Sequence, residues 1–216
     1  MSAVSGAALS YGKRKEKRMK NRSPCGKYGF YESEKYKTRR QNGTMKKDVV
    51  IIGAGPAGIF TALEMLRRGS KKSILIVENR RCPKNVTGKC MNCKPFCHIT
   101  TGFSGAGAFS DGKLSLSAEV GGDLPLLIGE ELAQETINYA DKIYLEFGAD
   151  EHVEGINVSE EVKEIRKRTI QAGLKLVDCP IRHMGTEKAQ QIYLSIERYL
   201  LEHGVEIMFE YECKTL

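Results

Sequence analysis

From Asp48 onward the apolar positions of this chain fall into short runs and helical spacings, and each predicts an element. Val49, Val50, Ile51 and Ile52 form an unbroken apolar run, the pattern of a strand covered on both faces. A glycine turn follows. Ile59, Ala62, Leu63 and Leu66 then recur on one helix face, with Gly69 placed to end the helix. Ile74, Leu75, Ile76 and Val77 make a second buried strand, closed by Glu78. Together these segments predict a βαβ unit.

Downstream, Asn79 to about Ser117 is rich in Gly, Cys and Pro and predicts a long loop, which in a compact domain usually carries function. Leu126–Phe147 predicts one helix, with Leu127, Leu132, Ile137, Ile143 and Phe147 among its apolar positions and Gly148 as its stop. Ser159 is placed to cap a helix running to Ala172, with Glu160 and Glu161 in the favourable first turn. LKLVDC (174–179) predicts a short strand before Pro180. Thr186 is placed to cap a helix whose Ala189, Ile192, Tyr193, Ile196 and Leu200 share a face, and VEIMFEYE (205–212) predicts a last strand. No internal repeat is present.

The expected fold class is therefore α/β: a Rossmann-like βαβ start, a long Gly/Cys-rich loop, and an inserted helical or α+β region. The expected division is a leader over 1–46, a nucleotide-binding segment over 47–122, a substrate-side helical region over 123–182, and a returning helix and strand over 183–216. A chain that stops so close to a parallel strand predicts an incomplete sheet, continued in a longer protein.

Charge sharpens the first boundary. The chain has 216 residues and a net charge of +7, but residues 1–47 hold fourteen Lys and Arg against three Glu, a net of +11. The rest holds twenty against twenty-four acidic residues, a net of −4. The leader has almost no aliphatic residues and no period, which predicts a disordered segment. Its Tyr11, Tyr28, Phe30, Tyr31 and Tyr36 among basic residues fit a nucleic-acid arm. With the body acidic, nucleic acid is not the expected partner of the fold. No run reaches the roughly 20 apolar residues of a membrane helix. No secretory pattern is present, and seven cysteines are an odd number, so a cytoplasmic setting with free or metal-bound thiols is expected.

Gly53-Ala54-Gly55-Pro56-Ala57-Gly58 fits G-x-G-x-x-G in its full context: after a buried strand, at the start of a helix, and twenty residues before Glu78 at the end of the next strand. The first glycine permits the turn and the second lets backbone approach a pyrophosphate. The third allows tight helix–strand packing. A carboxylate at 78 accepts bonds from ribose hydroxyls and repels a 2′-phosphate, so FAD or NAD is expected rather than NADP. Asn79 and Arg80 continue the candidate ribose side.

With GAGPAG opening the folded part, TTGFSGAGAFSDGKLSLS, DKIYLEFGAD and RHMGTEKA together resemble a family of bacterial FAD-dependent dehydrogenases of the two-dinucleotide-binding flavoprotein type. The resemblance runs from about Lys47 to the end. It implies FAD in the first site, hydride transfer to the flavin from an organic substrate, and NAD as a candidate electron partner. It also implies a longer chain, whose later motif grips the ribityl and pyrophosphate from the other side and has no match here. It implies that Gly105, Ala106, Gly107, Ser110 and Asp111 lie along the flavin, with Lys113 near the isoalloxazine N1. The plain alternative for this segment is a surface loop.

His183 is a candidate acid or base, with Arg182 as a candidate partner for an acidic substrate. A structural histidine is the competing reading. In CMNCKPFC, Cys90, Cys93 and Cys97 are spaced C-x2-C-x3-C, with Cys82 and His98 nearby. They can be read as zinc or iron–sulfur ligands, as a redox pair beside the flavin, or as a structural loop. Three functions follow: an FAD-dependent oxidoreductase, a truncated non-catalytic fragment of one, or a metal- or thiol-binding module.

Overall fold

The computed structural model describes residues 10–13, 46–79, 102–109, 111–156 and 159–215. Arg80, Ser110, His98 and the cysteines at 82, 90, 93 and 97 lie outside the described residues. The chain divides into two compact units. The first comprises Met1–Phe109 with Ile196–Leu216, and the second Ser110–Ser195.

The first unit is an α/β layer. Strand β1 is Ser10–Lys13, β2 Val49–Ile52, helix α1 Pro56–Arg67, β3 Ile74–Glu78 and the short helix α2 Ala106–Phe109. The end of α6 (Gly185–Glu202) leads to β6 (Glu206–Phe209) and β7 (Tyr211–Thr215). β2, β3 and β6 form a parallel sheet in the order β2-β3-β6, with Val49 level with Ile74 and Glu78 level with Phe209. All five residues of central β3 are buried. β2 was expected to be covered on both faces, yet it lies at the sheet edge and Ile52 is 51% exposed. α1 buries Ile59, Ala62 and Leu63 and ends at Gly69, whose φ of 72° and bond to the Leu66 carbonyl close the last turn.

The single last strand expected over 205–212 is two. Glu210 adopts φ 67° and turns the chain out of the parallel sheet, and β7 pairs antiparallel with β1. Ser10–Lys13 thus forms a strand within the leader expected to lack structure.

The second unit contains β4 (Lys113–Ser115), α3 (Leu124–Ile128), α4 (Glu130–Glu146), α5 (Glu160–Gln171), β5 (Ile181–His183) and the first part of α6. The one helix expected over Leu126–Phe147 is broken at Gly129, which takes φ 88° and ψ 153°. Of the apolar positions read into that helix, Leu127 and Leu132 are 79% and 51% exposed, whereas Ile143, like Ala133, is buried. α5 begins as expected, with Ser159 Oγ accepting from the Val162 amide at 3.3 Å. The strand expected over 174–179 lies two residues beyond that segment, as β5, because its pairing partner β4 reaches only Ile181–His183. α6 starts at Gly185, so Thr186 lies inside the helix rather than capping it.

Buried polar contacts tie elements of this unit together. Arg182 is 4% exposed; its Nε and Nη2 donate to Asp141 Oδ1 and Oδ2 of α4 at 2.5 and 2.8 Å. Its Nη1 donates to the carbonyls of Asp150 and His152. The hydroxyls of Tyr144 and Tyr193 meet at 2.7 Å, with their rings edge to face. Burial pushes both phenols above their ordinary range.

Removing one member of a buried, two-pronged ion pair strands the other charge, a loss of about 3–5 kcal/mol. Arg182→Leu is expected to lower the urea midpoint of helical circular dichroism accordingly. The double variant with Asp141→Leu should lose clearly less. An unchanged midpoint in the single variant would refute this role.

Candidate functional site

Three parallel strands end side by side in the first unit, which also holds residues 53–58, Glu78, Asn79 and residues 105–107 of the sequence-predicted cofactor set, whereas Asp111 belongs to the second unit. Ligands of open α/β sheets bind beyond the carboxyl ends of such strands. β2 runs into Gly53, β3 ends at Glu78, and β6 ends at Phe209.

Each fingerprint glycine has its own physical reason. Gly53 has φ 98°, and its amide donates to the Val77 carbonyl at 2.8 Å, strapping the turn to β3. Gly55 is extended (φ −75°, ψ 176°), a conformation any residue adopts, and a Cβ there would meet no atom of the described residues within 4 Å. Among the described residues, glycine at 55 therefore serves neither the backbone conformation nor packing. A Cβ on Gly58 would lie 2.2 Å from the Gly53 carbonyl oxygen, so only glycine lets α1 start this close to β2. Pro56 and Ala57 are exposed in the first turn of α1, where proline at the start loses no hydrogen bond.

Glu78 is 7% exposed, and its Oε2 accepts from the buried Ala54 amide at 2.8 Å. Asn79 follows it, exposed. The second glycine segment joins the same place. The Ser104 amide donates to the Ala54 carbonyl at 2.7 Å. Phe103, fully buried, packs edge to face on Phe209 with centroids 6.4 Å apart. Gly105 (φ 50°), Ala106 and Gly107 continue from that turn into α2. Ser104 was missed by sequence reasoning. No residue pattern marks it within residues 102–107, yet it takes φ 68° while fully buried.

The polar candidates belong to the second unit. Lys113 and His183 are opposite each other across the antiparallel β4–β5 pair. Lys113 Nζ lies 2.9 Å from Asp111, and His183 Nδ1 lies 3.6 Å from Glu154 Oε1. All four side chains are solvent-accessible. The hydrogen bond from Lys113 holds the Asp111 carboxyl below the ordinary aspartate range, and the same bond holds the Lys113 ammonium above its own. Arg182, read as a substrate-binding group, is instead taken up by Asp141 and two carbonyls. Gly112 and Gly185, both in quoted motif segments, meet backbone to backbone: a Cβ on Gly112 would lie 2.6 Å from the Gly185 oxygen.

Cys90, Cys93 and Cys97, the metal or redox candidates, lie outside the described residues. Among the described residues no group of three or more His, Cys, Asp or Glu is arranged to hold a metal ion. No described helix is long and apolar enough to cross a membrane.

No protein-family model matches the chain, and no curated protein sequence matches it. Three solved structures are similar at low levels. An L-amino acid deaminase from Proteus vulgaris is 18% identical, with a TM-score of 0.36, over 78% of this chain and 41% of that one. A glycine oxidase from Bacillus cereus ATCC 14579 is 18% identical, with a TM-score of 0.37, over 76% of this chain and 48% of that one. An L-amino acid deaminase from Proteus myxofaciens in complex with anthranilate is 17% identical, with a TM-score of 0.26, over 92% of this chain and 42% of that one. The chain spans less than half the length of each of these proteins.

The Asp111–Lys113 pair sets a pH expectation. Its contribution through Asp111 is present above the ordinary aspartate value of 3.8 and is lost as pH falls through the lowered one. Its contribution through Lys113 is present below 10.5 and lost as pH rises through the raised value. Lys113→Met should move the Asp111 titration back up toward 3.8, read by carboxyl carbon NMR. An unmoved titration would mean that the pair does not form in solution.

Proposed function

We propose that the first unit binds the ADP half of FAD, and that the chain is the N-terminal part of an FAD-dependent oxidoreductase. The observation that carries this reading is Gly55. Its glycine is required neither by the conformation nor by packing against the described residues, and a bound group that needs close backbone approach accounts for it. The neighbours fit the same ligand. The α1 N-terminus offers backbone N–H groups to a pyrophosphate, and Glu78 is an acceptor for ribose hydroxyls. Gly53, Ala54, Pro56, Ala57, Gly58, Asn79 and Arg80 complete the nucleotide side.

The ADP half is common to FAD and NAD. FAD is preferred because Gly105, Ala106, Gly107, Ser110 and Asp111 are the residues that the resemblance sets along a flavin. Bound flavin supplies the capacity to accept a hydride from an organic substrate. The chain's own share would be to bind and orient it. Lys113 would contribute positive charge, and His183, with Glu154 beside it, would hold or release a proton at a ring nitrogen. Cys90, Cys93 and Cys97 are proposed as thiols available for redox exchange or metal ligation. The cytoplasm is the proposed location.

Reconstitution of the purified chain with FAD, followed by gel filtration, should leave flavin absorbance with the protein. Gly55→Val should keep the thermal midpoint but weaken FAD binding about tenfold or more, since the side chain meets none of the described residues and enters the proposed ligand's space. Gly58→Ala should lower the midpoint itself. A Gly55→Val protein that binds FAD as tightly as the parent would defeat the proposal.

A further inference from the structure

Ser104 is absent from the residues that the fingerprint and the resemblance single out, yet its backbone touches the centre of the fingerprint. It is fully buried at φ 68°, a region that residues with a Cβ enter only against steric resistance. That conformation aims its amide at the Ala54 carbonyl, 2.7 Å away. The Ala54 amide in turn donates to Glu78 Oε2 at 2.8 Å. The two peptide groups flanking Ala54 are thereby held, one by Glu78 and the other by Ser104. The second of these groups also contains the Gly55 amide. A trans peptide is planar, with N–H and C=O pointing in opposite directions. Holding the Ala54 oxygen toward Ser104 therefore turns the Gly55 N–H away from it. The Ser104 hydroxyl donates to the carbonyl of Phe103 and so stays within its own turn.

We infer that Ser104 is a positioning residue for the dinucleotide: its left-handed backbone orients the Ala54–Gly55 peptide so that the Gly55 amide faces a pyrophosphate. This rests on the dinucleotide-binding reading above. The second glycine segment then acts on the ligand through the fingerprint turn. Ser104 is a serine that must behave as a glycine.

The role belongs to the backbone, so affinity should follow tolerance for positive φ rather than presence of the hydroxyl. Dissociation constants for FAD and for ADP would be measured by titration on the folded full-length chain and on Ser104→Gly, Ser104→Ala and Ser104→Val, with thermal midpoints recorded alongside. Ser104→Gly and Ser104→Ala, the latter with the same Cβ and only the hydroxyl removed, are expected within about threefold of the parent, and the β-branched Ser104→Val about tenfold weaker or more, the scale of one lost hydrogen bond to the turn. The Gly55 amide NMR shift should move in the same order. A purely structural role would lower midpoints and leave these constants unchanged, which would overturn the inference. So would equal weakening in Ser104→Gly and Ser104→Ala, the mark of a hydroxyl role. If Ser104→Val does not fold, Ser104→Thr, which keeps the hydroxyl while its β-branch resists positive φ, takes its place with the same expected weakening. A parent chain that binds neither FAD nor ADP overturns the dinucleotide reading and the inference with it, whereas a binding parent with insensitive variants overturns the inference alone.

Discussion

Helix α1 starts where it does because position 58 has no side chain. A single methyl there would sit 2.2 Å from the Gly53 carbonyl oxygen, a backbone atom that cannot give way without moving the end of β2. Much of the first unit's geometry follows from that approach. With the helix pressed onto the strand, Ile59, Ala62 and Leu63 reach full burial, and the turn is short enough for Gly53 to bond back to Val77. Glu78 then comes within reach of the Ala54 amide. The carboxylate thus closes the turn from inside, and the Gly102–Gly105 segment supports it from another side through Ser104 and Phe103.

The second unit solves a different problem. It has few long strands and several helices with exposed apolar residues, so specific polar pairing supplies much of its definition. The Arg182 fork ties β5 to α4 and to the 150–152 loop. This arrangement also frames Lys113 and His183, which flank the buried arginine on the accessible part of the same two-stranded ladder. Buried Arg182 and exposed His183 are neighbours in sequence, and alternation along a strand separates a scaffold role from an accessible one.

The βαβ start was legible in the residues alone, since run length, helical spacing, glycine positions and the terminal glutamate all agreed. What failed to read was whatever depends on a distant partner. LKLVDC has the composition of a strand, but Leu174 is 64% exposed, and the ladder forms only where β4 lies opposite. β2 reads as doubly covered, but whether a strand is central or at an edge is set by the order of the sheet. The break at Gly129 was a local signal outweighed by the apolar residues around it. Of the candidate site, the fingerprint could be read from its spacing. The bond from Ser104 to Ala54 could not, because no pattern marks which amide of a glycine-rich turn points inward. Arg182 read as a substrate group because sequence shows a charge and not its burial.

The parallel sheet has a further consequence for how the chain comes off the ribosome. β3 pairs with β2 across a short helix, but its other neighbour, β6, begins at Glu206, beyond the whole second unit. Until that stretch has been made, a strand whose five residues are all buried in the finished fold has one unsatisfied ladder of backbone groups. Contacts of such long sequence separation form slowly, and a bare apolar edge is the usual starting point for aggregation. The second unit, built from helices and one short ladder, sets the delay. Synthesis is therefore the stage at which this molecule most needs a chaperone, and the protected segment would be Ile74–Val77.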